Sequence, residues 1–272
     1  MVSLSEFLLS RLDGDLISWQ VQQEAASRFK LNISQIEEEI FNAGFLPARY
    51  QRNRKTISIA EQQLLFRSRV TVIGCGGLGG YILEELARLG VGQLAAVDHD
   101  IFEEHNLNRQ LLATMATLGR SKADVAAERI ASINPAVEVV PIKEAFTREN
   151  SRRLLVGSQV VVDGLDTIGT RLLLASVCRE LAIPLVHGAI CGWFGQVTTQ
   201  FPGEDTLEKL YQRCTEDRGM EKIYGNPSFT PATIASLQTA EVCKILLGRG
   251  TLLRKKVLCL NLLAMEVDEL QL

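Results

Sequence analysis

The sequence predicts an α/β fold: a Rossmann-like, doubly wound, mainly parallel sheet with late antiparallel strands, plus a small N-terminal helical appendage. Three observations carry this expectation. From Arg69 onward, short β-branched runs alternate with helical patterns. The first run ends in a glycine cluster that leads straight into a helix. Residues 1–48 lack that alternation and read as helices alone.

In the appendage, Leu4, Phe7, Leu8 and Leu12 mark the apolar side of a first helix, and a second runs from Ser18 to Phe29. A third is expected to begin at Ser34, with Glu37 at capping-box spacing, and to end near Gly44. The polar stretch ARYQRNRKTIS that follows reads as a linker or arm. Residues 49–272 are then expected to form a single α/β domain. Its strands are expected at Val70–Ile73, Leu94–Val97, Val137–Val140, Gln159–Val162 and Pro184–His187. Helices are expected at Leu78–Leu89, Ser121–Ile133, Glu149–Leu155 and Thr170–Leu181. Gln196–Gln200 and Lys256–Leu260 suit later antiparallel strands around a long buried helix, Thr233–Leu247.

Composition narrows the function. The chain is 46% apolar and 22% charged, as in ordinary globular proteins. A net charge of -3 gives no global attraction to nucleic acid or to an anionic membrane. Within residues 1–48, seven acidic against three basic side chains argue against DNA binding, although the helical rhythm is that of a helix-turn-helix. No apolar run approaches the roughly 18 residues of a membrane span. The N-terminus lacks the basic start of a signal peptide. The six cysteines are scattered without a CxxC pair, which suits reduced thiols in a cytoplasmic protein.

The chemistry begins at VTVIGCGGLGG, where Gly74, Gly76 and Gly79 form GxGxxG between strand and helix. Such a turn brings backbone close to phosphate, and the helix N-terminus offers free N–H groups. Asp98 ends the second strand, nineteen residues after Gly79, where an acid suits ribose hydroxyls. Asn106, Arg109 and Gln110 lie in HNLNRQ, Lys122 in GRSKA, and Asp163 and Asp166 in DGLD. Fixed cations beside a carboxylate suit a triphosphate with magnesium, whereas a nicotinamide dinucleotide needs neither.

GCGGLG, the Asp98-to-RQ spacing, GRSKA and DGLDTIGTR together resemble the ThiF/MoeB/HesA family of ubiquitin-activating-type adenylyltransferases. GAICGWFGQVT, SLQTAEVCKIL and the upstream RYQRN are similar to further family segments, so the likeness covers about residues 49 to 262. The resemblance implies ATP-dependent adenylylation of the C-terminal Gly-Gly carboxylate of a ubiquitin-like sulfur-carrier protein in cofactor biosynthesis. It implies that Gly77 and its neighbours line the phosphate turn and that Asp98 holds the ribose. Asn106, Arg109, Gln110 and Lys122 would hold the phosphates, and Asp166 magnesium. Arg52 would reach the terminal phosphate from the partner subunit of a homodimer.

The chain departs from the family in its thiols. Tyr211 stands where an earlier cysteine of LYQRC would fall, only Cys214 remains, and the C-terminal tail has none, so no zinc site is expected. The crossover segment EDRGMEKIYGNPSFTP has no cysteine. Cys191 reads first as a small packing residue and Cys214 as a zinc-site relic, with a nucleophile the lesser reading of each, so a covalent intermediate is unsupported. Asp166-Thr167 replaces the family's Asp-Asn pair. Alternatives are an enzyme similar to tRNA threonylcarbamoyladenosine dehydratase, an NAD-dependent dehydrogenase, and a non-catalytic nucleotide-binding partner subunit.

Overall fold

The computed structural model describes residues 2–212, 214 and 224–272. The chain opens with α1 (Leu4–Leu9), β1 (Leu16–Ile17), α2 (Trp19–Phe29), α3 (Ile33–Asn42) and β2 (Leu46–Pro47). Phe7, Leu8, Ile17, Ala25, Ile36 and Ile40 close a core of their own between these helices. β1 and β2 pair in parallel, a two-residue contact too short to leave a periodic signal. The start of α3 corrects the capping expectation. Asn32 is the N-cap and Gln35 completes the box, while Glu37 lies a half-turn further along and points inward.

Glu37 is fully buried and forms an ion pair of 2.9 Å with Arg49. Arg49 also donates to Gln22 and Asn134, and the Asn134 amide donates to Tyr50 Oη (2.8 Å) and to the Ala87 carbonyl. This polar cluster joins the N-terminal helices to the larger unit. Burial outweighs Arg49 and pushes the Glu37 carboxyl up to about 7 from 4.5. Between those values the native state binds more protons than the unfolded chain, so stability falls as pH rises through that window. The expected loss attributable to Glu37 is about 3 kcal/mol at most. Urea denaturation of wild type and Glu37→Gln from pH 4 to 8 checks this, because the difference between them should carry that slope.

The stretch read as a linker contains α4 (Ile59–Phe66), capped by a Ser58–Glu61 box. Its Leu64, Leu65 and Phe66 are consecutive, which hides the helical period. Then follow β3 (Arg69–Ile73), α5 (Gly77–Leu89), β4 (Gln93–Val97), α6 (Lys122–Ile133) and β5 (Glu138–Ile142). α7 (Arg148–Leu155), β6 (Val160–Asp163), α8 (Ile168–Glu180), β7 (Leu185–Cys191), β8 (Phe194–Gln200) and α9 (Thr206–Tyr211) continue the chain. α10 (Phe229–Leu247), β9 (Lys256–Asn261) and β10 (Glu266–Gln271) close it. β5 runs through Pro141, which is tolerated because β5 is a sheet edge. α10 starts a turn earlier than expected, since a proline in the first helical turn forfeits no hydrogen bond. β10 escaped the sequence reading because every one of its residues is exposed, leaving no burial pattern.

The eight-stranded sheet has the order β10-β9-β8-β7-β6-β3-β4-β5. β7-β6-β3-β4-β5 pair in parallel, while β8, β9 and β10 add antiparallel, as expected of a doubly wound sheet with late antiparallel strands. α5 and α10 cover one face with Ile82, Leu86, Ile234 and Val242, and Leu154, Leu174 and Val177 of α7 and α8 cover the other. From β3 the chain steps to β4 on one side and later to β6 on the other. That divergence opens a crevice beyond the strands' carboxyl ends, where ligands of such sheets bind. Among the described residues, no helix is long and apolar enough to cross a membrane.

Candidate active site

A cavity of 380 Å³ fills this crevice. Gly74, Gly76 and Gly77 form its floor between β3 and α5. Gly74 has φ +92°, and a Cβ there would lie 2.5 Å from the Gly164 carbonyl oxygen, so the β3 and β6 turns touch backbone to backbone. No side chain caps α5. Its first N–H groups are therefore open to a ligand in the cavity.

Asp98, at the end of β4, accepts from Cys75 N–H (2.7 Å) and Asp100 N–H (2.8 Å). Those bonds fix its carboxylate on the cavity wall. The Cys75 thiol, buried beside Asp98, is pushed well above its ordinary pKa by desolvation first and by that carboxylate second. It is a packing thiol. Lys122 begins α6 and is buried, with Nζ 3.0 Å from Asp100. Arg109 lines the cavity with its guanidinium steadied by the His105 carbonyl (2.9 Å) and Asn108 Oδ1 (2.8 Å). It has no carboxylate partner among the described residues. Gln110 is buried on the same wall with its Oε1 unpartnered. Asp166 is exposed to the cavity and makes no hydrogen bond or ion pair among the described residues.

The structure thus gathers Gly74, Gly76, Gly77, Asp98, Arg109, Gln110, Lys122 and Asp166 around one cavity. Three expected residues are not on its wall. Gly79 lies behind the turn, packed on the Gly74 carbonyl. Asn106 is buried outside the cavity lining, and its Oδ1 accepts from Glu103 N–H at 3.0 Å, which shapes the turn carrying Arg109. Arg52 is exposed and lies outside the cavity of its own chain. Of the thiols singled out, Cys191 is half-buried at the end of β7 and Cys214 is exposed. The crossover segment between Thr215 and Ile223 lies outside the described residues.

Sequence reasoning missed how Asp166 is placed. Asp163 is fully buried; its Oδ1 accepts from Leu165 N–H (2.8 Å) and its Oδ2 faces His187 Nδ1 (2.6 Å). Arg171 donates to the Leu165 carbonyl (2.6 Å) and to Tyr211 Oη (3.2 Å). Tyr211 Oη lies 3.0 Å from His187 Nε2. Burial holds the His187 pKa below its usual value despite Asp163, so the imidazole is neutral near pH 7. Nδ1–H then donates to Asp163, and Nε2 accepts the Tyr211 hydroxyl proton. Both peptide groups of Leu165 are clamped, which presents the next residue, Asp166, to the cavity. Asp163 in DGLD was the one legible signal of this network.

Comparison with known proteins agrees with this geometry. Residues 50–272 match the ThiF family. The chain is 38% identical over 199 residues to the SAMP-activating enzyme E1 of Haloferax volcanii, covering 72% of this chain and 74% of that one. It is 31% identical over 220 residues to the molybdopterin-synthase adenylyltransferase of Salmonella typhimurium, covering 78% and 86%. Three further relatives are longer, and the chain spans 58%, 46% and 53% of them. Among solved structures, the tRNA N6-threonylcarbamoyladenosine dehydratase of E. coli in complex with ATP superposes with a TM-score of 0.64 at 25% identity, covering 74% of this chain and 94% of that one. With the family matched from Tyr50 to the last residue, and its nucleotide turn, cations and carboxylate gathered at the sheet's switch point, the chain belongs to the ThiF family.

Proposed function

We propose that the chain adenylylates the C-terminal Gly-Gly carboxylate of a ubiquitin-like sulfur-carrier protein, using ATP. The observation that carries this reading is the joint presence, in one cavity, of a glycine turn at a helix N-terminus, two cations and an unpaired carboxylate. The adenylyltransferases among its relatives support the reaction type, and their names point to carrier activation for molybdopterin synthesis or a related pathway.

The residues fit the nucleotide. Apolar Ile73, Val97, Phe146 and Leu165 offer a surface for the base, Asp98 accepts from the ribose, and the Gly76–Gly77 backbone, Gln110, Arg109 and Lys122 meet the phosphates. The carrier's carboxylate attacks the α-phosphorus. One P–O bond forms as the bond to the β-phosphate oxygen breaks, giving an acyl adenylate and pyrophosphate. A carboxylate is already ionised at neutral pH, so the chain supplies position and positive charge and no general base. Asp166, unpaired, would hold magnesium, which neutralises phosphate charge when bound. The exposed Arg52 suits a homodimer in which each arm completes the other subunit's site. Zinc has no part in this reading, because Tyr211 is committed to His187 and Arg171.

The body of the carrier has a matching surface. Trp193, Phe194, Phe229, Leu263 and Met265 are exposed large apolar side chains, and the Trp193 and Phe229 rings lie 4.5 Å apart. They lie at the β7–β8 and β9–β10 turns and the start of α10, where Leu262 N–H bonds the Trp193 carbonyl, and Ile190 of β7 lines the cavity. Exposed apolar side chains on neighbouring turns beside a catalytic crevice suit a protein substrate.

The test is ATP–pyrophosphate exchange with magnesium, with and without small proteins ending in Gly-Gly. Exchange that depends on the carrier is expected. ATP binding without exchange, across several such carriers, would sink the carrier reading and transfer the role of adenylyl acceptor to another carboxylate, one on tRNA being the next to try.

A further inference from the structure

Tyr211 closes α9 and is buried, its ring edge-on to His187 with the centroids 5.6 Å apart. Three other elements meet at its hydroxyl oxygen. Arg171 Nη1 of α8 donates to it at 3.2 Å, Gln196 Nε2 of β8 donates at 3.3 Å, and His187 Nε2 of β7 lies at 3.0 Å. A tyrosine hydroxyl has one proton to give and two sites that accept. With His187 neutral and its Nδ1–H on Asp163, all three are in use, so the hydroxyl has a single orientation. Burial, above all, raises the Tyr211 pKa, and the proton stays on the oxygen.

Packing alone does not call for that oxygen. A phenylalanine would bury the same ring without desolvating a hydroxyl, and a buried polar network gains little stability over apolar packing. What the hydroxyl does is hold one prong of Arg171. The guanidinium reaches three ways: Nε lies 3.7 Å from the Asp163 carboxylate, Nη2 donates to the Leu165 carbonyl at 2.6 Å, and Nη1 donates to Tyr211. The Leu165 carbonyl lies in the peptide plane that ends at the Asp166 nitrogen, so its direction sets the direction in which Asp166 leaves the chain. Asp166 makes no bond of its own among the described residues. Its place in the cavity is fixed through the backbone, and a tilt of Arg171 is passed on to it.

We propose that Tyr211 is a positioning residue of the adenylylation site: its hydroxyl orients Arg171, which through the Leu165 carbonyl sets where the Asp166 carboxylate stands in the cavity. This rests on the reading of Asp166 as the residue that would hold magnesium. It involves no acyl substrate and is independent of which carboxylate is activated.

The experiment titrates ATP by calorimetry into wild type, Tyr211→Phe, Asp166→Ala and the double variant, once with magnesium and once with EDTA. No acyl substrate is present, so ATP is bound and not consumed. In wild type, magnesium should tighten ATP binding, because without it Asp166 faces the triphosphate uncompensated. Tyr211→Phe should cut that gain about tenfold and keep the affinity in EDTA within about twofold. In the Asp166→Ala background the same substitution should change neither affinity by more than about twofold. A merely structural hydroxyl gives a different pattern: a lower urea midpoint, and weaker ATP binding to the same extent with magnesium and with EDTA, in both backgrounds. That pattern would overturn the proposal, as would a Tyr211→Phe variant with the full magnesium gain. Arg171→Lys decides the matter should Tyr211→Phe not fold, since it keeps a charge beside Asp163 but cannot span both the Leu165 carbonyl and Tyr211. It should lose the magnesium gain in the same way, and an undiminished gain would again overturn the proposal. Wild type that binds ATP equally with magnesium and with EDTA would remove Asp166 from the cation's site and this inference with it. Failure of the carrier reading shows only in the exchange assay.

Discussion

Asp166→Ala is expected to lower ATP–pyrophosphate exchange by a factor on the order of 10³, the worth of several kcal/mol of charge stabilisation. The fold should be unaffected. Asp166 is exposed and makes no bond among the described residues, so truncation orphans no partner. Its position is set by its neighbours, through the Asp163 and Arg171 bonds to Leu165, and these remain in the variant. Exchange should be lost across all magnesium concentrations, while the urea midpoint stays that of wild type. A variant that exchanges normally would remove Asp166 from the cation's site. A variant that loses exchange together with its urea midpoint would show the carboxylate to be structural instead.

The second large effect is expected from Gly79→Ala, at a residue that does not touch the cavity. A Cβ on Gly79 would sit 1.7 Å from the Gly74 carbonyl oxygen and 2.7 Å from its carbonyl carbon. Backbone cannot give way as the end of a flexible side chain can. Either α5 moves off β3 or the Gly74 turn is pushed into the cavity. Gly74 has no room to move, because it already touches Gly164 of the β6 turn. The cost should exceed the roughly 1–3 kcal/mol typical of overpacking. Both nucleotide binding and the urea midpoint should fall, which separates this variant from Asp166→Ala. Full ATP affinity in Gly79→Ala would mean that the turn is looser than its contacts indicate.

Much of the nucleotide site was legible because its parts are local. A β-branched run, a glycine turn and a helix follow one another between Val70 and Leu89, and their order alone creates the phosphate cradle. Asp98 is legible for the same reason, as the acid that ends the next strand. Arg109, Gln110 and Lys122 needed the family resemblance, since a single cation in a loop says nothing about where it points. Asn106 adds a turn-shaping contact that the motif does not announce. It lies in the matching motif, and its side chain bonds Glu103 N–H. Ser34 and Glu37 show a limit: the spacing is that of a cap, but Asn32 and Gln35 fit the same rule two residues earlier and win. Glu37 is left to pair with Arg49 in the interior.

By itself, then, the sequence determined the doubly wound class, the glycine turn, the acid at the end of β4 and the set of charged residues able to serve ATP chemistry. Each is a matter of neighbours along the chain or of recurrent spacing. Only the tertiary structure decided which charges share the cavity and what holds them. His187 meets Asp163 across 24 residues, Arg171 meets Tyr211 across 40, and Asn108 meets Asn226 across 118. No local period encodes such pairs. They form because β6 and β7 lie side by side and α8, α9 and α10 pack onto their ends, where a buried polar group must find a partner in whatever the fold brings near.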